Sequence, residues 1–268
     1  MASIAPLPPR LPAPADKRLS YGSNDQQFGD LRVPAGSGPH PVVIYVHGGA
    51  WQSSVTLDGA SHLCAALTAA GYATWSLEYR RIGNGGGWPV TFEDLMQGAA
   101  FVNELGQREQ LDLGRVFVAG QSSGGHLAAW LATRMRHLEG PLTREGLPAI
   151  RGVVSLAGVL DLRRSAESSA IARQFLGGTP ADVPDRYAAA SPVELLPLGL
   201  PQLLVHGTAD NNVPFEIGQR YFEAAKKAGD EIELLPIEGA GHFDVFDTRT
   251  EAWKQIKPAI EAFLKKHI

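Results

Sequence analysis

A serine flanked by small residues, in the run Gly120-Gln121-Ser122-Ser123-Gly124, is the first group in the chain whose setting suits covalent chemistry. The run lies between a β-rich stretch, Arg115–Ala119, and a helical one, Ser123–Arg136. A serine at such a strand–helix junction sits on a tight turn with strained backbone angles, and glycines two residues to either side leave room for the turn. The helix that follows aims the positive end of its dipole at the same point, where it favours developing negative charge. Other readings of the run are a Gly-rich turn that only caps a helix, and a phosphate-binding loop. The second fails because no Gly-Lys-Ser/Thr follows. A dinucleotide fingerprint fails as well, since Gly83–Gly87 does not open a helix after a strand. Ser122 is the candidate nucleophile.

A serine hydroxyl is a poor nucleophile until a base takes its proton. Eight histidines compete for that role. His242, in Gly239-Ala240-Gly241-His242-Phe243, follows the last expected strand and completes the chain order Ser…Asp…His. His47 and His206 end strands and precede glycines; they are the strongest rivals and read as loop-structuring groups. His126 belongs to the helix after the nucleophile, and His40, His62, His137 and His267 read as surface residues. The acid that orients the base should come from a loop after a strand. Asp210, in the turn beyond Gln202–His206, is favoured over Asp161, which follows the previous strand; an Asx-turn role is the structural alternative for either. After an earlier strand comes Val46-His47-Gly48-Gly49-Ala50-Trp51. Glycines there let backbone N–H groups turn toward a reacting carbonyl oxygen. Gly48, Gly49 and Ala50, with the amide of Ser123, form the candidate oxyanion site, worth about 3–4 kcal/mol per donor in such systems.

The elements that must position these groups alternate. Pro41–Val46, Tyr72–Leu77, Arg115–Ala119, Gly152–Leu156, Gln202–His206 and Glu231–Ile237 read as strands. Leu57–Ala70, Phe92–Leu105, Ser123–Arg136, Phe215–Ala228 and Arg249–His267 read as helices. Pro41–Val46 is a continuous apolar run, as expected of a strand buried on both faces, and Gly152–Leu156 and Gln202–His206 read as further buried strands. Strand–helix alternation at this spacing predicts an α/β fold: a mostly parallel central sheet with helices on both faces. Lys17–Pro34 adds one or two antiparallel strands at the edge. Pro141–Leu147 and Asp161–Pro192, the latter with a short helix at Ser168–Leu176, are less regular and are expected to form a small cap that shapes a pocket. The expected organisation is an extended, proline-rich N-terminal arm, 1–18, and a single domain, 19–268.

Composition narrows the function classes. The chain has 268 residues, 44% apolar, with a net charge of −4. No run of like charge suggests nucleic acid or an anionic membrane surface. No apolar run reaches the roughly 20 residues of a spanning helix, and the N-terminus lacks the pattern of a secretory signal. The simplest reading is a soluble, cytoplasmic protein. The single cysteine, Cys64, excludes an intrachain disulfide and reads as a buried, inert thiol.

These pieces resemble the α/β-hydrolase superfamily, in particular its branch with an HGGxW oxyanion motif, which includes carboxylesterases, hormone-sensitive-lipase-like esterases and kynurenine formamidases. The resemblance is carried by His47-Gly48-Gly49-Ala50-Trp51, Glu78-Tyr79-Arg80-Arg81, Trp88-Pro89, Gly120–Leu127, His206–Pro214 and Gly241-His242-Phe243. The lipase-like members usually carry HGGG and a longer N-terminal cap, so this chain is closer to the formamidase and small-esterase side. Ser123 also departs from the small residue, such as alanine, that members commonly have after the nucleophile. The resemblance implies a two-step acyl transfer through a Ser122–His242–Asp210 triad, with no metal or organic cofactor. Because the base must start neutral, activity should decline as pH falls through the ordinary histidine range near 6.5. Trp51, Trp88 and Phe243, with Phe246, are candidate substrate contacts, or else simply core. Without a long lid, short-acyl esters are expected, with arylformamides as the alternative and a non-catalytic binding protein of the same fold as the reading from another class. The expected partner is a small-molecule ester or formamide; nucleic acid and membrane are not expected, and a homodimer is left open.

Overall fold

The computed structural model describes residues 10–134 and 146–268. The first nine residues of the arm, most of the Pro141–Leu147 segment, His137, and the Met135–Arg136 end of the expected helix lie outside the described residues. Eight strands form one sheet: β1 (Lys17–Ser20), β2 (Phe28–Arg32), β3 (His40–Val46), β4 (Ala73–Leu77), β5 (Leu111–Gln121), β6 (Ile150–Leu156), β7 (Gln202–Gly207) and β8 (Ile232–Ile237). Their order is β1-β2-β4-β3-β5-β6-β7-β8, with β1 and β2 antiparallel and the rest parallel. The helices are α1 (Ser61–Ala69), α2 (Val90–Ala100), α3 (Val102–Arg108), α4 (Ser123–Thr133), α5 (Leu162–Ser168), α6 (Ala170–Leu176), α7 (Pro184–Ala190), α8 (Phe215–Ala228) and α9 (Trp253–Lys266).

The two faces follow from strand alternation. On β3, Val42, Ile44 and Val46 pack with α2, α4 and the short helices α5–α7. Val43 and Tyr45, one position out of phase, pack with α1 and α9 on the opposite face. Every central strand is therefore buried on both sides, which is why each reads as an unbroken apolar run. Cys64 lies in the second face, fully buried, and burial pushes its thiol up to about 11.

Three expectations change in detail. The single helix expected over Phe92–Leu105 is two, broken at Phe101. The short helix expected at Ser168–Leu176 is α6, which begins two residues later at Ala170 and is flanked by two helices that were not expected, α5 before it and α7 after it. Together these three helices form the cap over the carboxyl ends of the central strands. β5 begins at Leu111, well before Arg115, because its early residues pair with His40 and Pro41 before a register shift. Among the described residues no helix is long and apolar enough to cross a membrane.

Candidate active site

β5 ends at Gln121 and α4 begins at Ser123, so Ser122 alone makes the turn. Its φ of 54° and ψ of −124° place it in a region that side-chain residues rarely occupy. The turn fits only because its neighbours are bare. A Cβ at Gly124 would come within 2.1 Å of the Val46 carbonyl oxygen and 2.4 Å of that of His47. The side chain of Ser122 is thereby held above the carboxyl ends of the strands, with the N-terminus of α4 beneath it.

His242 reaches the serine from the loop after β8. Its Nε2 is 3.0 Å from Ser122 Oγ, and its Nδ1 is 2.7 Å from Asp210 Oδ2. With Nδ1–H donating to the carboxylate, Nε2 carries the lone pair that accepts from the hydroxyl. Asp210 comes from the loop after β7. Its Oδ1 accepts from the amides of Asn212 and Val213 at 2.8 and 2.9 Å, which fixes the carboxylate and leaves Oδ2 for the histidine. Burial would raise this carboxyl. Hydrogen bonding from His206 and His242, with the Val213 amide, outweighs burial and holds it well below the usual carboxylate range. His206 Nε2 is shared: it lies 2.8 Å from the Val213 carbonyl and 3.5 Å from Asp210 Oδ2. Asp161 has a different occupation, capping α5 by accepting from the Arg164 amide at 3.0 Å.

Across from the histidine, the loop after β3 runs through three positive φ angles, at Gly49 (118°), Ala50 (54°) and Trp51 (55°). Gly48 lies against the nucleophile turn; a Cβ there would meet the Gln121 carbonyl at 2.6 Å. The amides of Gly49 and Ala50, and that of Ser123 at the start of α4, have no partner among the described residues. The Ser123 hydroxyl accepts from the Trp51 amide at 3.3 Å, so the departure from a small residue at this position serves to tie the loop to the elbow.

A buried ionic network lies beneath that loop. His47 places Nδ1 2.7 Å from the Gly48 carbonyl and Nε2 2.9 Å from Glu78 Oε1. Glu78 also accepts from the amides of Leu57 and Tyr79 and pairs with Arg81 at 2.5 Å. Burial would raise the Glu78 carboxyl, but His47, Arg81 and the Tyr79 amide bring it below its ordinary value. A buried charge is tolerable only when paired and hydrogen-bonded in this way. The spacing Glu78-Tyr79-Arg80-Arg81 was the one sequence signal of this network; nothing in it revealed that His47 closes it.

The nucleophile and base open on a cavity of about 630 Å³. Ala50, Trp51, Val159, Ile171, Val213 and Ile217 give it apolar walls, and Arg164, Ser165 and Glu216 give it a polar side. The cap residues among these were not singled out from sequence, because a pocket wall made from short irregular helices leaves no periodic signal. The candidate substrate contacts separate. Trp51 lines the cavity. Trp88 does not: it packs edge-on to Phe92, with centroids 5.2 Å apart. Phe243 also lies outside the lining and is 61% exposed, its ring edge-on to His242. Among the described residues no group of three or more His, Cys, Asp or Glu is placed to hold a metal ion.

A family model described as BD-FAE matches residues 30–224. Esterase LipC of Mycobacterium tuberculosis is 29% identical over 245 residues, which is 86% of this chain and 60% of LipC. The probable isoprenylcysteine alpha-carbonyl methylesterase ICME of Oryza sativa is 28% identical over 248 residues, 86% of this chain and 58% of that protein. The chain thus spans about 60% of the length of these curated relatives. Among solved structures, the propionate-bound esterase Est2 of Thermogutta terrifontis matches with a TM-score of 0.78 at 26% identity, covering 94% of each chain.

Proposed function

The chain belongs to the BD-FAE family, within the α/β-hydrolase esterases, and from that membership we propose that it is a carboxylesterase-type serine hydrolase of small carboxylic esters. The observation that carries the reading is the relay of 3.0 and 2.7 Å from Ser122 through His242 to Asp210, opening on a cavity with free amides opposite the base.

In the first step Ser122 Oγ attacks the ester carbonyl carbon while its proton passes to His242 Nε2. The imidazolium that forms is stabilised by the Asp210 carboxylate. The carbonyl oxygen, now negative, is met by the amides of Gly49, Ala50 and Ser123, with Gly48 holding their loop against the elbow. Collapse breaks the bond to the leaving oxygen, which takes the proton from Nε2 and departs as the alcohol. Water then loses a proton to the same Nε2 as it attacks the acyl-serine; collapse breaks the bond from the acyl carbon to Oγ, which takes the proton back from Nε2, and the acid leaves with Ser122 and neutral His242 restored. The propionate bound to the matched Est2 structure supports a short acyl group.

The test compares p-nitrophenyl esters of rising acyl length with N-formylkynurenine, using Ser122→Ala as the blank. The expected outcome is greatest activity on the shortest esters and none above background in the variant. Preference for the formamide by several orders of magnitude would replace the ester reading with an arylformamidase. Equal rates in Ser122→Ala would overturn the serine mechanism, and no turnover with any ester or formamide would favour a binding protein of this fold.

A further inference from the structure

His126, one turn into α4 from the nucleophile, donates its backbone amide to the Ser122 carbonyl at 3.1 Å, but its side chain makes no hydrogen bond to the triad; the ring is fully buried and hydrogen-bonded through both nitrogens. Its Nε2 lies 2.9 Å from the Ala190 carbonyl at the end of α7, and a carbonyl can only accept. The Nε2 atom therefore carries the proton, and the Nδ1 lone pair faces outward. The Trp51 indole Nε1–H donates to that lone pair at 3.2 Å. The same indole is stacked on Phe175 of α6, with centroids 4.6 Å apart and planes 13° from parallel. Trp51 is the last of the three positive-φ residues in the loop after β3, and its amide is the one tied to Ser123 Oγ. A side-chain residue keeps such an angle only where its surroundings over-determine it. Here the surroundings are the Ile82 amide, which donates to the Trp51 carbonyl at 2.8 Å, and, around the indole, one histidine below it, one ring on its face and the cap behind both.

We propose that His126 is a positioning residue for the oxyanion amides: through the Trp51 indole it holds the Ala50–Trp51 backbone in its positive-φ conformation and couples that loop to the cap. The inference rests on the acyl-transfer reading above. Neutral His126 is the form that serves, because a proton on Nδ1 would set two donors against each other. The cap helix matters for the same reason: the Ala190 carbonyl selects the tautomer, and the tautomer in turn makes the acceptor for Trp51. A movement of α7 therefore reaches the oxyanion loop through two hydrogen bonds without touching substrate.

Two replacements divide the histidine's roles. In His126→Asn the side-chain oxygen takes the place of Nδ1 and keeps an acceptor for the indole. In His126→Gln the amide nitrogen reaches the place of Nε2 and keeps the donor to Ala190, but Trp51 loses its acceptor. A third variant, Trp51→Phe, removes the donor itself. The experiment measures kcat and KM on p-nitrophenyl acetate, with active Ser122 counted by a serine-directed organophosphate so that unfolded protein does not enter kcat. The expected result is a fall in kcat of about ten- to a hundredfold in His126→Gln, the scale of a misplaced catalytic group. KM should change little, and His126→Asn should be largely restored. His126→Gln combined with Trp51→Phe should be no worse than the poorer single variant. If His126→Gln and His126→Asn lose kcat equally, or if the two losses multiply in the double variant, the inference is overturned while the esterase reading stands. A wild-type protein that neither hydrolyses the ester nor takes up the organophosphate would sink both.

Discussion

Asp210 receives hydrogen bonds at both carboxylate oxygens, and that concentration of donors sets its chemistry. Replacing it by asparagine keeps the shape but presents an amide that can force His242 into the wrong tautomer. A kcat loss of about 10⁴-fold with little change in KM is the expected outcome, read by steady-state kinetics on a short ester. The same carboxyl has a consequence for stability. A carboxyl whose folded pKa lies below its unfolded value, near 3.9, binds protons more readily in the unfolded chain. Its contribution is complete above that value and is lost as pH falls below it toward the lowered folded pKa. Acid unfolding of Asp210→Asn should therefore depend less steeply on pH than that of the wild type below about pH 4. His126 acts at higher pH. Burial lowers its pKa from 6.5 to about 4, against a smaller raising effect of the Ala190 carbonyl. Between those values the unfolded chain takes up the proton and the folded chain does not, so stability falls as pH falls. The cost over the window is about 3 kcal/mol, from 1.36 kcal/mol per unit. Denaturant titrations across that range should show it in the wild type and lose it in His126→Asn.

At the scale of elements, the elbow depends on β3, β5 and α4 approaching to a distance that only glycine permits. Gly124→Ala must move either the Val46 carbonyl or the start of α4, since its Cβ has backbone on one side and helix on the other. We expect a loss of about 1–3 kcal/mol in unfolding free energy and a larger proportional loss of activity, read by denaturant titration beside organophosphate labelling. The central strands were readable from sequence because burial on both faces writes itself as consecutive Val, Ile and Leu, as in Pro41–Val46. Ser122 and Asp210 stood out as candidates because each follows such a strand, and His242 because its glycine-rich loop follows the last strand, β8, which is only partly buried. What stayed hidden has a physical reason in each case. The break at Phe101 needs no proline or glycine, so no residue type announces it. Helices α5, α6 and α7 have seven residues each, two turns, too few for a period of 3.6 to show. His126 sits within an apolar helix face, where its two hydrogen bonds come from segments remote in sequence. Trp88 and Phe243 were chosen for their type alone; their side chains are placed by Phe92 and by the His242 loop, outside the cavity lining.

Over the whole molecule, the cavity is closed by two bodies: the sheet with its loops, and the cap. The cap is joined to α8 across the cavity by Arg164 and Glu216 at 3.0 Å, and Glu216 also holds Arg220 at 2.6 Å. Both partners of the crossing pair are substantially exposed, so the pair adds little to folding. Its place at the cavity wall gives it another effect. Arg164→Ala should leave the unfolding midpoint unchanged within error while altering KM more for bulky alcohols than for methyl esters, as a substrate panel would show. The opposite face of the sheet, under α1 and α9, takes no part in the site and holds Cys64 fully enclosed. A thiol pushed up to about 11 and sealed from solvent carries almost no thiolate at neutral pH. Ellman's reagent should find no reactive thiol in the native protein and one after denaturation. The wild-type chain is thus a ready background for spectroscopy: a single cysteine introduced on the cap and another on α8 would accept a fluorophore pair without competition. The distance between the two bodies could then be followed during turnover.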